Sequence, residues 1–312
     1  MPATDGRRTI SIVSPCYNDA ENLRECHARV RRLFETALAA YRREHIFADN
    51  NSTDGSSELL AELAASDPDV RVIFNARNVG VLRSTFNAMR AASGDACVPM
   101  LAVDLQDPPE VIAEFVRRWE NGAHVVYGVR EKRDDSGPVL WLRRAFYRIM
   151  RAMAEFPVPV DAGEFQLIDR KVRAFVCARD DHNPYIRGLI ASAGFTAEGV
   201  PYQYIARRRG FSKNRLVGLF DIATNAVLTF SRLPIRVFAP LGALFAVCGP
   251  VAMLASLVGG SAWFLGGLLA LVGGLNMVLL ALVGEYVLMT HAQVRHGGAV
   301  PERGRLNFGP QV

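Results

Sequence analysis

What one long stretch of this sequence lacks is charge. From Val237 to Gly284 there is no Asp, Glu, Lys or Arg. One bilayer crossing takes about 20 residues, so the stretch predicts two spans, Ile235 to Leu257 and Trp263 to about Met289, with Gly259, Gly260 and Ser261 in the turn. Two helices without a buried ionisable residue argue against a transporter. No Gly-x-Gly-x-x-Gly follows the first apolar run and no Walker-type lysine loop is present, which argues against a dinucleotide cofactor and a P-loop. The five cysteines (Cys16, Cys26, Cys97, Cys177, Cys248) have no metal-like spacing and an odd count; free thiols in a reducing compartment account for them. No aromatics interleave with the basic residues in the manner of a nucleic-acid face. Arg7 and Arg8 precede an apolar run, Thr9 to Ser14, that is too short for a secretion signal, so a cytoplasmic N-terminus is expected.

The charge that is present is unevenly placed. The net charge is +5 over 312 residues, and between Ile205 and Arg236 lie Arg207, Arg208, Arg209, Lys213, Arg215, Arg232 and Arg236 against the single acid Asp221. A basic collar before a membrane span suits anionic headgroups on a cytoplasmic face. Arg295, Arg303 and Arg305 follow the second span, so the positive-inside rule puts both ends in the cytoplasm and the hairpin tip across the membrane. Paired glycines at 259–260, 266–267 and 273–274 would let these helices pack closely on each other or on a second subunit. Outside the spans remains a soluble domain of roughly 230 residues, enough to bury a core.

Along that domain, apolar runs alternate with helical patterns. Strands are expected at Thr9–Ser14, His45–Asp49, Val70–Phe74, Cys97–Asp104 and His124–Val129, and helices at Ala20 to about Arg43, Ser56–Ala65, Val79–Ala92 and Pro109–Trp119. The alternation predicts an α/β, Rossmann-like layer with a mostly parallel sheet and right-handed crossovers. Beyond Arg130 it weakens. Leu140–Met153 reads as an amphipathic helix for the core or the membrane surface, Phe195–Ile205 as one or two strands, Leu216–Phe230 as a juxtamembrane amphipathic helix, and Gly297–Val312 as a loose tail.

The stretch Met100–Glu110, Met-Leu-Ala-Val-Asp-Leu-Gln-Asp-Pro-Pro-Glu, sets the chemistry. A buried strand delivers Asp104, Gln106 and Asp107 at its carboxyl end, where Pro108 and Pro109 break it before a helix. Open α/β sheets hold ligands at that end, and hard oxygen donors so spaced suit Mg²⁺ or Mn²⁺ together with a diphosphate. The alternative for Asp107 is a helix cap.

Seven motifs in order carry a resemblance over essentially the whole chain: Ser14-Pro-Cys-Tyr-Asn-Asp-Ala-Glu-Asn22, Asp49-Asn-Asn-Ser-Thr-Asp-Gly55, Asn78-Val-Gly80, Asp104-Leu-Gln-Asp-Pro-Pro-Glu110, Asp161-Ala-Gly-Glu-Phe165, Arg187-Gly-Leu189 and Arg209-Gly-Phe-Ser-Lys213, with Gly284-Glu-Tyr286 closing the second span. The sequence resembles the polyprenyl-phosphate glycosyltransferases, the inverting family-2 group of GT-A fold that includes bacterial bactoprenol glucosyltransferases and dolichol-phosphate mannose synthase. The resemblance implies a GT-A domain at 1–213, a juxtamembrane helix at 214–234, two transmembrane helices within 235–291 and a cytoplasmic tail at 292–312. It implies transfer of a sugar from a nucleotide diphosphate sugar, UDP-linked, to polyprenyl phosphate on the cytoplasmic leaflet of the plasma membrane, for cell-envelope glycan or lipid modification. A homo-oligomer is the expected assembly.

By position, the resemblance assigns Pro15, Tyr17, Asp19, Asp49, Asn78 and Asp104 to the nucleotide-sugar, and Asp104 and Gln106 to a Mg²⁺ or Mn²⁺ ion. Glu164 matches an acidic position beside the acceptor phosphate. Arg187, Arg209, Ser212 and Lys213 match phosphate-gripping positions, with Asp104, Glu164, Arg209 and Lys213 as the catalytic set; Arg143, also placed at the acceptor phosphate, corresponds more loosely, as do Arg144 and Arg148. Membrane-surface or solvent charge is the alternative for each arginine. Three departures stand out: the metal motif is commonly Asp-x-Asp and here begins with Ala102, the second loop is commonly Asp-Asp-Gly-Ser and here reads Asp49-Asn-Asn-Ser52, and the usual Asp before Phe165 is Glu164. Fewer carboxylates weaken a hard cation's site. The rival class is a catalytically silent membrane protein that binds nucleotide-sugar or lipid phosphate as scaffold or sensor; a processive synthase would need more spans and a Gln-x-x-Arg-Trp signature.

Overall fold

A computed structural model of the chain describes residues 6–130, 162–179, 184–205 and 299–309, with isolated helical positions between 272 and 290. The chain divides into two compact units, one of Met1–Ala145, Phe156–Lys213 and Gly297–Val312, the other of Phe146–Glu155 and Asn214–His296. The first unit is built on an eight-stranded sheet of order β7-β5-β6-β4-β1-β2-β3-β8. Its strands are β1 (Thr9–Cys16), β2 (Arg42–Asp49), β3 (Val70–Asn75), β4 (Ala96–Val98), β5 (Val125–Arg130), β6 (Ala162–Asp169), β7 (Ala197–Tyr202) and β8 (Glu302–Leu306). Parallel pairing joins β4, β1, β2 and β3 and joins β5 to β7, while β6 and β8 pair antiparallel with their neighbours. Six strands therefore run one way and two the other, a mostly parallel α/β sheet as expected.

The helices are α1 (Ala20–Glu35), α2 (Ser56–Ser66), α3 (Val81–Ala91), α4 (Ile112–Glu120, entered through a 3₁₀ turn at Pro109–Val111), α5 (Arg170–Cys177) and α6 (Ile186–Ser192). Alternation along the central strands feeds two cores, one on each face. Ile10, Ile12, Phe47 and Val72 meet Leu23 and Val30 of α1, Leu60 of α2 and Phe115 of α4 on one face. Val13, Ile46, Ala48 and Ile73 meet Phe86 and Met89 of α3, Val172 of α5 and Leu189 of α6 on the other. Both faces being covered explains why these strands read as nearly continuous apolar runs.

Three expectations need correction, and one strand was not anticipated. Helix α1 stops at Glu35 rather than near Arg43, because Arg42 and Arg43 are already paired with Thr9 and Ile10 of β1. Strand β4 ends at Val98 rather than Asp104; the chain then makes a turn closed by the Leu105 N–H to the Ala102 carbonyl at 3.2 Å. Ala162–Asp169 is a full strand, wedged antiparallel between β4 and β5. The tail expected to be loose supplies β8, antiparallel to β3 at the sheet edge. Among the described residues no helix is long and apolar enough to cross a membrane. The two expected spans lie outside the described residues, except for the isolated positions, where Leu280, Val283 and Val287 are exposed. The amphipathic helices expected at Leu140–Met153 and Leu216–Phe230 also lie outside them.

Candidate active site

The loops leaving β1, β2, β3 and β4 all emerge at one edge of the sheet, the carboxyl ends of its parallel strands. After β1, Asn18 adopts a left-handed conformation with φ 52°, which lets its side chain turn back. Its Oδ1 accepts the Thr53 N–H at 2.8 Å and its own N–H donates to Ser52 Oγ at 2.9 Å. Asp19 donates its N–H to Ser56 Oγ, while its carboxylate accepts the Tyr17 N–H at 3.2 Å. Asp54 accepts from Ala20 N at 3.1 Å and from Ser56. Burial alone would raise the Asp54 carboxyl, but the Ser56 and Ala20 hydrogen bonds outweigh it and hold the group below its ordinary value. The first two loops thus form one stitched rim that holds Tyr17 and Asp19, both half-buried, at the carboxyl ends of the strands.

Pro15 is buried within β1, opposite Ala48. Asp49 is also fully buried: one carboxylate oxygen accepts the Ser52 N–H at 3.1 Å and the other accepts Ser57 Oγ at 2.6 Å. A chain of amides extends the rim to β3. Asn75 donates to Asn50 at 3.2 Å and to Ser84, and Asn50 donates to Asn78 at 2.8 Å, leaving Asn78 exposed on the loop. Gly80 follows with φ +84°, a conformation that a side chain would strain.

Beyond β4, burial alternates: Leu101, Val103, Leu105 and Asp107 are buried, whereas Ala102, Asp104 and Gln106 are half-exposed. Leu105 sits at φ 56°, a costly backbone for a branched side chain. Asp104 Oδ1 accepts the Gln106 N–H at 3.3 Å, and the Gln106 carbonyl accepts the Ile205 N–H at 3.0 Å. Asp107 does not cap the following helical turn: Pro108 stands at the cap position before Pro109–Val111, and no side chain caps it. Instead its carboxylate accepts the Tyr202 hydroxyl and Arg130 Nη2 at 3.3 Å, and Arg130 Nε donates to the same hydroxyl at 3.1 Å. The Arg130 guanidinium also lies 3.8 Å from the Tyr204 ring centroid. Burial and then the Asp107 charge push the Tyr202 hydroxyl well above the ordinary phenol range. This Arg130–Asp107–Tyr202 cluster fixes the loop that bears Asp104; no spacing in the sequence signals it, because its members come together only through the pairing of Arg130 with Tyr202 on β5 and β7.

Glu164 lies in the first half of β6, which runs back alongside the chain that leaves β4. Burial raises its carboxyl above the ordinary value of 4.5, and the positive charge of Arg187, at the start of α6, opposes the rise. Arg187 itself donates Nε to the Tyr185 hydroxyl at 2.9 Å. Arg143, Arg209, Ser212 and Lys213 lie outside the described residues. A cleft of about 510 Å³ lined by Arg7, Arg31, Arg43 and Asp67 opens at the opposite end of the sheet, far along the strands from these loops. Its charges are largely matched, Arg31 by Glu35 and Arg43 by Asp67.

Among the described residues no three His, Cys, Asp or Glu side chains gather as a metal cluster. The donor set at the β4 loop is one carboxylate, Asp104, and the amide of Gln106 on the same half-exposed face. Hard oxygen donors of this kind fit Mg²⁺ or Mn²⁺ when the remaining positions are filled by diphosphate oxygens and water.

Residues 11–175 match the family described as glycosyl transferase family 2. Glycosyltransferase YkcC of Bacillus subtilis is 31% identical over 290 residues, 89% of this chain and 88% of that protein. The bactoprenol glucosyl transferase of Shigella phage SfV is 29% identical over 300 residues, 92% of this chain and 95% of that protein. Among solved structures, the mannosyltransferase PcManGT from Pyrobaculum calidifontis, in complex with GDP-Man and Mn²⁺, superposes with a TM-score of 0.49 at 18% identity, covering 93% of this chain and 87% of that one. With the family match running from β1 through α5 and a relative above 30% identity spanning nearly the whole length, the chain belongs to glycosyl transferase family 2 and is a glycosyltransferase with a GT-A-like α/β domain.

Proposed function

We propose that the protein transfers a sugar from a nucleotide diphosphate sugar, UDP-linked, to polyprenyl phosphate at the cytoplasmic face of a membrane, with inversion at the sugar carbon. The observation that carries this reading is placement: antiparallel pairing of β6 with β4 brings half-buried Glu164 to the same end of the sheet as the Asp104–Gln106 loop. The names of relatives such as the phage SfV bactoprenol glucosyl transferase support the acceptor class. The uncharged stretch Val237–Gly284 and the basic collar before it support the membrane placement and a two-helix anchor.

In the reaction, an oxygen of the acceptor phosphate attacks the anomeric carbon and the bond from that carbon to the donor diphosphate breaks, the electron pair leaving with the nucleoside diphosphate. A phosphomonoester has its second pKa near 6, so the acceptor is already a nucleophile at neutral pH and no side chain needs to take a proton from it. Asp104 and Gln106 would hold a Mg²⁺ or Mn²⁺ ion, which when bound neutralises charge on the leaving diphosphate. The rim of Tyr17, Asp19 and Asn78 orients the nucleoside, and Arg187, with Arg209 and Lys213 from the sequence, supplies positive charge to the phosphates. Glu164 stands beside the acceptor. Its raised pKa lets a carboxyl sit near a phosphate dianion with less repulsion than a fully ionised acid would exert.

The test is a panel of radiolabelled nucleotide-sugars given to the purified full-length protein with undecaprenyl phosphate and Mn²⁺. One donor should yield a lipid-phosphate sugar, and Asp104→Ala should cut its formation by at least about 100-fold with membrane insertion intact. An unimpaired Asp104→Ala protein removes the metal assignment. Nucleotide binding without turnover of any donor favours the silent scaffold instead.

A further inference from the structure

The C-terminal strand reaches the donor end of the sheet. Because β8 is antiparallel to β3, it begins where β3 ends, with Glu302 opposite Asn75 and Gly304 opposite Phe74. Consecutive residues of β3 thus face residues two apart on β8, and Arg303 is the extra residue of a bulge. Bulges re-aim a side chain out of the pleat. Here the Arg303 guanidinium swings across β3, its Nη2 lying 3.4 Å from Asp49 Oδ2 and 3.3 Å from Ser57 Oγ. Asp49 is fully buried with both oxygens engaged, whereas 46% of the Arg303 side chain is exposed. Of this pair, the arginine is the solvent-accessible member.

The segment is pinned on both sides of Arg303. The Ala76 N–H donates to the Pro301 carbonyl at 2.7 Å and Asn87 Nδ2 donates to Glu302 at 2.6 Å. On the other side, Asn307 Nδ2 donates to the carbonyls of Ala64 at 2.7 Å and Val70 at 2.8 Å. A guanidinium held in this way loses little freedom when it meets a ligand. Its place is also informative. Asp49 ends β2, two strands from β4, so with strands about 4.8 Å apart Arg303 reaches a point roughly 10 Å across the sheet from the β4 loop. If the donor diphosphate lies at Asp104, the nucleoside lies there.

We propose that Arg303 is a specificity-determining residue that reads the donor's base. A guanidinium has donors and no acceptor, so at the edge that carries C4 of a pyrimidine or C6 of a purine it favours the carbonyl of uracil or guanine over the amino group of cytosine or adenine. This inference rests on the donor-site reading above. The experiment is calorimetric titration of the full-length protein in detergent with UDP, GDP, CDP and ADP in the presence of Mn²⁺. The wild type should bind UDP or GDP more tightly than CDP and ADP. Arg303→Ala should weaken the favoured nucleotide about tenfold, leave CDP and ADP unchanged and so flatten the preference, and Arg303→Lys should restore part of it. An unchanged preference in Arg303→Ala, or an equal loss for all four nucleotides, overturns the proposal; should Arg303→Ala fail to fold, Arg303→Lys with the wild-type preference in full does the same. A wild-type protein that binds none of the four overturns the donor-site reading itself.

Discussion

Tyr202→Phe isolates the clamp on the Asp104 loop. The ring is 4% exposed and packs against Phe165 with centroids 5.7 Å apart, and phenylalanine keeps that contact, so no cavity forms. What goes is one hydroxyl that donates to the Asp107 carboxylate and accepts from Arg130 Nε at 3.1 Å. Among the described residues, Asp107, 8% exposed, keeps Arg130 Nη2 at 3.3 Å as its remaining side-chain partner. Hydrogen bonds to charged groups contribute about 1.5–3 kcal/mol net, which puts the loss near 2 kcal/mol. For a domain of this size that corresponds to a fall in Tm of about 4–8 °C. Because the lost bond anchors the loop rather than the substrate, the transferase rate should drop while acceptor KM holds. Thermal unfolding of the detergent-solubilised protein, followed beside initial rates, checks both. A Tm within 1 °C of wild type together with an unchanged rate would refute the view that this clamp positions Asp104.

Two other expected outcomes bear on the same loop and its neighbour. Ala102 shares the half-exposed face of Asp104, so Ala102→Asp should add a carboxylate to the cation's shell and lower the Mn²⁺ concentration for half-maximal activity about tenfold or more; an unchanged metal titration counts against that geometry. Glu164 is held above its ordinary 4.5 by burial, so in the folded protein it binds its proton more tightly than in the unfolded chain. Relative to Glu164→Gln, the wild type should therefore be at its most stable below about pH 4.5 and lose that stability as pH rises through the elevated pKa, and a Tm difference that stays constant from pH 4 to 8 would contradict it.

The central strands were legible because both of their faces are buried. Ile10, Ile12 and Val13, or Ile46, Phe47 and Ala48, stand out as apolar whichever core they enter. The end of β4 was less so, since the prolines at 108 and 109 mark the start of the next helical turn and the strand leaves the sheet well before them, at Val98. Strand β6 was not, because Gly163, Glu164 and Gln166 interrupt its apolar residues, and Gln166 is buried by donating to the Gly163 carbonyl at 2.8 Å, a local bond no pattern announces. Strand β8 reads Glu-Arg-Gly-Arg-Leu. Edge strands carry charge to discourage further pairing, so the composition that suits β8 to its place is the one that reads as loop. The Arg130–Asp107–Tyr202 cluster was invisible for a different reason: its geometry follows from strand order, and strand order is a property of the whole sheet.

The position of β8 also fixes the order in which the enzyme can be assembled. Arg303 and Asp49 touch across 254 positions of sequence, so the edge of β3 stays open while everything between is being synthesised. An unpaired edge is where chains stick to one another. A nascent chain therefore carries a catalytic domain that is folded in outline yet unclosed until Glu302–Leu306 is made. A protein truncated before Pro301 would keep every family motif but lose Arg303 and the cover on β3.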